Sequence, residues 1–317
     1  MDQTFHSNGQ HSPNGKDHED YVAGDVTLGA KDRVVTQSNP AAKDNIIVNR
    51  SKSGISPFVP IIKTPTYSEN SNTLSGYSVE IEDPDTSTGF RSVGTVSPNY
   101  LLMTNTEVRS LALEIALRSG MTFKETRIFW DGRKFMHIID FDDESIEVSA
   151  GDAIGLSLVT KSSYDKSWRF EMALMGKRFV CDNGMISGEF FARVGFRHQK
   201  SFDPGYDWHL AVKDAMSIIQ AAPDDLARFV SGLRLLKGEA MTDEHIRSIW
   251  RLFPSIGSGI KGQIMERYVE REEPTLFGFL NAGTNVFWHR EKMTASDFSN
   301  NDVFSTQMLR YAFDHLN

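Results

Sequence analysis

Apolar and polar residues alternate with a period of two in several segments between residues 76 and 205, which is typical of strands with one buried face. The two clearest series are Ile154, Leu156 and Leu158, and Trp168, Phe170, Met172 and Leu174. We expect the whole second series to face the core, after a turn at residues 162–166. From residue 206 the apolar spacing becomes helical. This order predicts an α+β fold with a mostly antiparallel sheet, an intervening helix and a helical C-terminal half.

Two local signals predict individual elements within the strand-rich part. Residues 104–120 have helical spacing, with Thr104 or Thr106 as the N-cap, Glu107 in the first turn and Gly120 at the end. The pair Asp131-Gly132 separates two apolar runs, which is a strong sequence signal for a β-hairpin.

Proline and glycine residues set the predicted boundaries in the C-terminal half. A helix is predicted to end at Pro223, and a second helix to begin in the acidic residues that follow. Further helices are predicted from Thr242, from Thr275 and in the last 15 residues. Residues 257–262 lack the spacing of a phosphate-binding loop, so a flexible loop is expected there.

The N-terminal residues 1–72 have the polar, low-apolar composition of a disordered tail. Within them, Ile55–Pro65 is richer in apolar residues and proline. This segment is either a docking peptide for a protein partner or a strand or arm on the surface of its own domain, and the second interpretation is favoured. The expected organisation is a tail over 1–72, a strand-rich core over 73–205, and a helical part over 206–317 that packs on the core as one domain.

Composition excludes several classes of protein. The chain has 317 residues, a net charge of -8 and one cysteine. No apolar run is long enough to span a membrane, and the first 20 residues do not resemble a secretory signal, so a cytoplasmic protein is expected. Cys181 could be a nucleophile, but no histidine is placed beside it, and a buried structural role is favoured.

Catalytic and metal-binding patterns are weak. The histidines do not show the spacing of a zinc-protease helix, and no acidic pair marks a hydrolase. We therefore expect no metal and no cofactor, and the chain is more typical of a protein that is not an enzyme.

Charge is the more informative feature. Residues 161–200 carry eight basic and four acidic side chains, a net charge of +4 within an acidic chain. Interleaved aromatic residues make this combination typical of surfaces that bind single-stranded nucleic acid. The alternative is that the aromatic residues form core and the charges only face solvent. The candidate binding residues are Lys161, Lys166, Arg169, Lys177, Arg178, Arg193, Arg197 and Lys200.

Residues 161–190 also resemble the signature of a family of phage- and plasmid-borne proteins, the domain of unknown function 932. The resemblance lies in Asp165-Lys166-Ser167 and in the run from Phe179 to Gly184, and it extends over about residues 76–311. Tyr164 stands where the family typically has a histidine, which counts against a mechanism that needs an imidazole there. The resemblance implies no established activity, but it implies a mobile-element protein that is often found near replication and recombination functions.

Three hypotheses for function follow. The first is a nucleic-acid-binding protein of a phage, prophage or plasmid, such as an oligomeric factor for single-strand DNA annealing or recombination. The second is a small enzyme, a nuclease or an anti-defence hydrolase. Its cleft would collect Asp165, Asp182, Asn183, Glu189 or His198. The third is an adaptor that acts through Ile55–Pro65.

Overall fold

The computed structural model describes residues 47–49, 55–68, 73–178, 183–185, 191, 193–196, 204–290 and 295–316. All of these residues belong to one compact unit, which begins at Ala41. The strands are β1 (Ile47–Asn49), β2 (Ile61–Tyr67), β3 (Leu74–Glu82), β4 (Phe90–Val96), β5 (Phe123–Trp130), β6 (Lys134–Ser149), β7 (Asp152–Ser163), β8 (Phe170–Arg178), β9 (Asn183–Met185) and β10 (Arg193–Phe196). The helices are α1 (Asn105–Ser119), α2 (Pro204–Gly238), α3 (Asp243–Leu252), α4 (Ser258–Arg271), α5 (Leu276–Trp288) and α6 (Ala295–His315). The predicted α+β class is confirmed.

A seven-stranded sheet forms the centre of the fold. Its order is β1-β5-β6-β7-β8-β10, with β9 also paired to β8. All neighbours are antiparallel except β1 and β5. Because side chains alternate along a strand, the sheet has two distinct faces. We call them the α2 face and the α6 face, after the helices that pack on each.

The α2 face holds the larger core. Phe170, Met172 and Leu174 point to this face and join a buried cluster with residues of α1 and α2, which confirms that these three face the core. Gly176 continues the series, and a Cβ there would lie 2.6 Å from the Phe229 ring of α2, so the helix approaches the strand closely. On the α6 face a smaller cluster packs against Trp288 and Phe298.

The predicted helix over residues 104–120 is confirmed. Thr104 is its N-cap: its side chain accepts a hydrogen bond from the Glu107 backbone N–H, and the Glu107 carboxylate accepts one from the Thr104 N–H. Gly120 ends the helix with φ of 74°, a left-handed conformation that glycine adopts at little cost. The Asp131-Gly132 hairpin is confirmed too, since it joins β5 to β6.

Two predictions for the helical half are wrong. Helix α2 does not end at Pro223 but runs through it for 35 residues. Pro223 itself is exposed, and buried residues before and after the proline anchor the helix to the core. Residues 257–262 are not a loop either, because α4 begins at Ser258 with Gly257 as its N-cap.

The predicted tail is too long at its C-terminal side. Strands β1 and β2 both lie within residues 1–72, and β2 is an edge strand of a second sheet of order β2-β3-β4. The polar composition of residues 1–72 as a whole concealed β2, because an edge strand needs few buried residues. Residues 1–46, 50–54 and 69–72 of the predicted tail lie outside the described residues.

The segment Ile55–Pro65 lies on the surface of its own domain. Ile55 is buried in the large core, and the Pro57 carbonyl oxygen accepts a hydrogen bond of 2.7 Å from the Asn105 side chain. The Phe58 ring packs edge-on against Phe135 with 5.9 Å between centroids. These contacts agree with the favoured interpretation of this segment.

These contacts predict the effect of truncation. A chain that begins at residue 46 should unfold near the temperature of the full chain, whereas a chain that begins at residue 73 should melt several degrees lower because it loses β2 and Ile55. Differential scanning calorimetry measures both. Equal melting temperatures for the two truncated chains would contradict this assignment.

No helix in the described part of the chain is long and apolar enough to cross a membrane.

Candidate nucleic-acid interface

The structure divides the predicted binding residues into separate groups. Six of the eight are described, and Arg197 and Lys200 lie outside the described residues, as does Cys181. The six do not share one surface. Lys177 and Arg178 lie near one end of β8, whereas Lys161, Lys166, Arg169 and Arg193 lie near the other.

Lys177 forms a largely buried ion pair on the α6 face. Its Nζ lies 2.6 Å from Asp140 Oδ2, and only 13% of its side chain is exposed. The other Asp140 oxygen accepts a hydrogen bond of 2.7 Å from the Ser157 hydroxyl. The lysine charge is thus neutralised inside the protein, which is a structural role.

Arg178 lies on the opposite, α2 face. Its guanidinium donates two hydrogen bonds to the Asp152 carboxylate, at 2.6 and 2.8 Å. The guanidinium carbon also lies 5.1 Å from the centroid of the Phe277 ring. The bidentate pair joins β8 to β7, and the contact with the Phe277 ring links both strands to the start of α5.

Three of the other cations converge on the carboxylate of Glu171, on the α6 face. Lys161 Nζ lies 2.8 Å from Glu171 Oε1, Arg169 Nη2 lies 3.0 Å from Oε2, and Arg193 Nη1 lies 3.5 Å from Oε1. The strand register explains this, since Lys161 on β7 lies directly opposite Glu171 on β8. Burial raises the pKa of Glu171, but the contacts with the cations outweigh burial and bring the pKa below its usual value.

Arg193 has a second partner on α6. Its Nη2 donates to both oxygens of Asp302, at 2.9 and 2.8 Å. This pair joins β10 to a helix that is 109 residues away in the sequence.

Lys166 lies in the turn between β7 and β8. The Asp165 carboxylate accepts hydrogen bonds from the backbone N–H and the hydroxyl of Ser167, which fixes the turn. Lys166 has a positive φ of 66° and is exposed. The turn thus presents the lysine to solvent in a conformation that few side chains adopt.

A second turn lies beside the first and adds two cations that the sequence analysis missed. The Asp131 carboxylate accepts hydrogen bonds from the backbone N–H groups of Arg133, at 2.9 Å, and Lys134, at 2.7 Å. The Tyr164 N–H donates to the Arg133 carbonyl oxygen at 2.8 Å, which holds the two turns together. The hairpin signal at Asp131-Gly132 could have located both cations, because they directly follow it.

The prediction for Trp168 is wrong. It does not join Phe170 on the α2 face but packs on the α6 face, with its ring centroid 6.4 Å from Phe129 and 6.5 Å from Phe298. The reason is that β8 begins only at Phe170, so Trp168 belongs to the turn and strand alternation does not apply to it. Lys134 Nζ lies 5.4 Å from the centroid of its partly exposed ring.

We call this region the basic turn pair, and it consists of Arg133, Lys134, Lys166, Trp168 and Arg169. Within the described part of the chain, Arg133, Lys134 and Lys166 form no ion pair, in contrast to Lys177 and Arg178. Arg169 contacts Glu171, but 57% of its side chain remains exposed. The region therefore combines accessible positive charge with an aromatic ring.

The residues proposed for an enzyme cleft are mostly not described. Of that set, only the side chain of Asp165 is placed, and it stabilises the turn around Lys166. The described residues contain no cluster of three or more histidine, cysteine or acidic side chains that could hold a metal ion.

Comparison with known proteins places the chain in a family. Residues 92–308, more than half of the chain, match the family described as Domain of unknown function (DUF932). The chain belongs to this family. The resemblance seen in the sequence is thereby confirmed, and the DUF932 region spans nearly everything from β4 to α6, including the basic turn pair. No curated protein and no solved structure gives a significant match.

Proposed function

We propose that the protein binds single-stranded nucleic acid through the basic turn pair. The observation that supports this most directly is that Arg133, Lys134 and Lys166 lie on two joined turns and form no ion pair with any described residue, while Lys134 contacts the ring of Trp168. Lysine and arginine neutralise backbone phosphates, and aromatic rings stack on unpaired bases. A turn surface of this kind suits a strand whose bases are accessible.

The local charge supports the same proposal. The six cations and four carboxylates described above at this end of the sheet and its contact with α6 sum to a net charge of +2, while the whole chain has -8. The cations are Arg133, Lys134, Lys161, Lys166, Arg169 and Arg193, and the carboxylates are Asp131, Asp165, Glu171 and Asp302. We therefore expect binding to be confined to this region and to weaken with salt.

The biological role that we propose is that of a DNA annealing or recombination factor carried by a phage, prophage or plasmid. Single-stranded DNA is the favoured ligand, and several copies of the chain would act together as an oligomer along one strand. Such cooperativity along the strand is common among proteins that bind without sequence preference.

The proposal predicts the effect of removing two of these charges. The double variant Arg133→Gln with Lys166→Gln should bind a labelled single-stranded oligonucleotide more weakly than the wild type at low salt. Because each phosphate contact contributes roughly 0.7 to the slope of log affinity against log salt for a single strand, the slope should become shallower by roughly 1.4. Fluorescence anisotropy over a range of salt concentrations measures both quantities.

A matched control is available at the other end of β5. Arg118 and Lys213 line one depression between α1 and α2, and the double variant Arg118→Gln with Lys213→Gln changes the net charge equally. It should leave the affinity and the salt slope nearly unchanged. If the wild type does not bind single-stranded DNA or RNA at low salt, or if both double variants weaken binding equally, the proposal is wrong.

A further inference from the structure

Three cations from different parts of the sheet hold the Glu171 carboxylate. Lys161 comes from β7, Arg169 from the turn before β8, and Arg193 from β10. We propose that these three side chains form a phosphate-binding site, and that the Glu171 carboxylate occupies this site as an internal competitor of phosphate. The inference deepens the proposed function and rests on it only where nucleic acid is concerned.

The chemistry of the three cations suits a phosphate group. Carboxylate and phosphate both accept paired hydrogen bonds from the planar fork of arginine, so a site that holds one can hold the other. Arg169 contacts Glu171 Oε2 with both Nε, at 3.2 Å, and Nη2, at 3.0 Å. The three cations now share the two oxygens of Glu171, and a phosphate group offers them more acceptor oxygens than a carboxylate does.

The site is reachable from solvent. The exposed fraction of the side chain is 57% for Arg169, 26% for Arg193 and 18% for Lys161, whereas it is only 7% for Glu171. Arg169 also borders the turn that carries Lys166, so a strand bound at the basic turn pair passes close to the site.

The charge balance explains why Glu171 would act as a competitor. With Glu171 and Asp302 in place, the three cations keep a net charge of only +1. Neutralising Glu171 raises the local charge by one and releases Nε and Nη2 of Arg169 from the carboxylate. We therefore expect one additional phosphate contact when the carboxylate is absent.

The first test uses inorganic phosphate and needs no nucleic acid. The variant Glu171→Gln should melt below the wild type, because it leaves three cations without their shared carboxylate. Added phosphate should then raise the melting temperature of Glu171→Gln more than that of the wild type, since a ligand that binds the folded state stabilises it. Chloride at equal ionic strength is the control for screening.

A second variant keeps the test valid if Glu171→Gln does not fold. Asp302→Asn releases Arg193 from α6 and leaves the sheet intact, and it should also gain stabilisation by phosphate relative to the wild type. The matched control is Glu273→Gln, which makes the same change of charge beside Lys237, near the far end of β7. Phosphate should stabilise Glu273→Gln no more than it stabilises the wild type.

The second test uses single-stranded DNA. Glu171→Gln should bind a labelled oligonucleotide roughly tenfold more tightly at low salt, which is the value of one charge-assisted contact. Its salt slope should be steeper by roughly 0.7, and Glu273→Gln should behave as the wild type.

The two tests separate two kinds of failure. If the wild type and Glu171→Gln both fail to bind DNA but phosphate stabilises Glu171→Gln, the proposed function is wrong and the phosphate site stands. If phosphate stabilises neither Glu171→Gln nor Asp302→Asn more than Glu273→Gln, the phosphate site is wrong. Weaker DNA binding by Glu171→Gln would show that the carboxylate positions the cations and does not compete with phosphate, which also overturns the inference.

Discussion

Replacing Glu125 by Gln is expected to lower the free energy of unfolding at neutral pH by about 3 kcal/mol, because it breaks a largely buried charge network. Arg109 donates to both oxygens of the Glu125 carboxylate, at 2.7 and 2.6 Å. His137 is fully buried, and its Nε2 lies 2.7 Å from Glu125 Oε1. Gln carries no charge, so Arg109 would lose its counter-charge. Urea unfolding at neutral pH measures the difference.

The Glu125 carboxylate should also make the stability of the wild type depend on pH in the acid range. Burial raises the pKa of Glu125, but the contacts with His137 and Arg109 outweigh burial and bring the pKa from 4.5 to about 2. A carboxyl group whose pKa is lower in the folded state stabilises the fold fully above its unfolded pKa, and this contribution is lost as the pH falls through the folded value. The wild type should therefore lose stability between about pH 4.5 and pH 2, and Glu125→Gln should lose less over that range.

Glu114→Gln provides the control for Glu125→Gln. Glu114 pairs with Arg118 one helical turn away on the exposed side of α1. Exposed pairs of this kind contribute about 0.5 kcal/mol or less, so this variant should unfold almost as the wild type does. Equal losses for the two variants would show that Glu125 does not stabilise the fold as described.

The elements that could be predicted from the sequence are those specified by neighbouring residues. The N-cap Thr104 and its partner Glu107 are three positions apart, and Gly120 ends the same helix. The sequence signal for the hairpin consists of the adjacent residues Asp131 and Gly132. Such signals depend on residues only a few positions apart, so tertiary contacts seldom change the structure that they specify.

The charge surface could be predicted only in part, for a physical reason. Counting basic residues locates positive charge but does not show which cations are neutralised, because their carboxylate partners come from distant strands and helices. Asp140 is 37 residues from Lys177, Asp152 is 26 residues from Arg178, and Asp302 is 109 residues from Arg193. Only the fold shows that Lys166 and Arg133 remain accessible.

Tertiary packing also overrides local rules in the helical half. A proline inside a helix removes one hydrogen bond, which costs about 3 kcal/mol in an isolated helix. In α2 the apolar residues on both sides of Pro223, including Ala222 and Leu226, are buried in one core, and this burial offsets the cost. A sequence rule that considers only the proline therefore places a boundary that the fold does not have.

Gly278→Ala is the second substitution with a large expected effect, a loss of about 3 kcal/mol or more in the free energy of unfolding. A Cβ at this position would lie 2.0 Å from the backbone carbonyl oxygen of Glu273, a group that cannot rotate away as a side chain can. Gly278 lies in the first turn of α5, where its N–H donates to the Thr275 hydroxyl. The clash would push the start of this helix, including the buried Phe277, out of the core.

Gly262→Ala is the matched control, because it makes the same substitution in a helix where a Cβ would meet nothing within 4 Å. It should stabilise the protein by roughly 0.5–1 kcal/mol, since alanine loses less backbone freedom than glycine when a helix forms. Opposite signs for the two variants in thermal unfolding would show that close backbone approach, and not helix propensity, requires glycine at residue 278. If Gly278→Ala were as stable as the wild type, the start of α5 would have to lie farther from Glu273 than the structure places it.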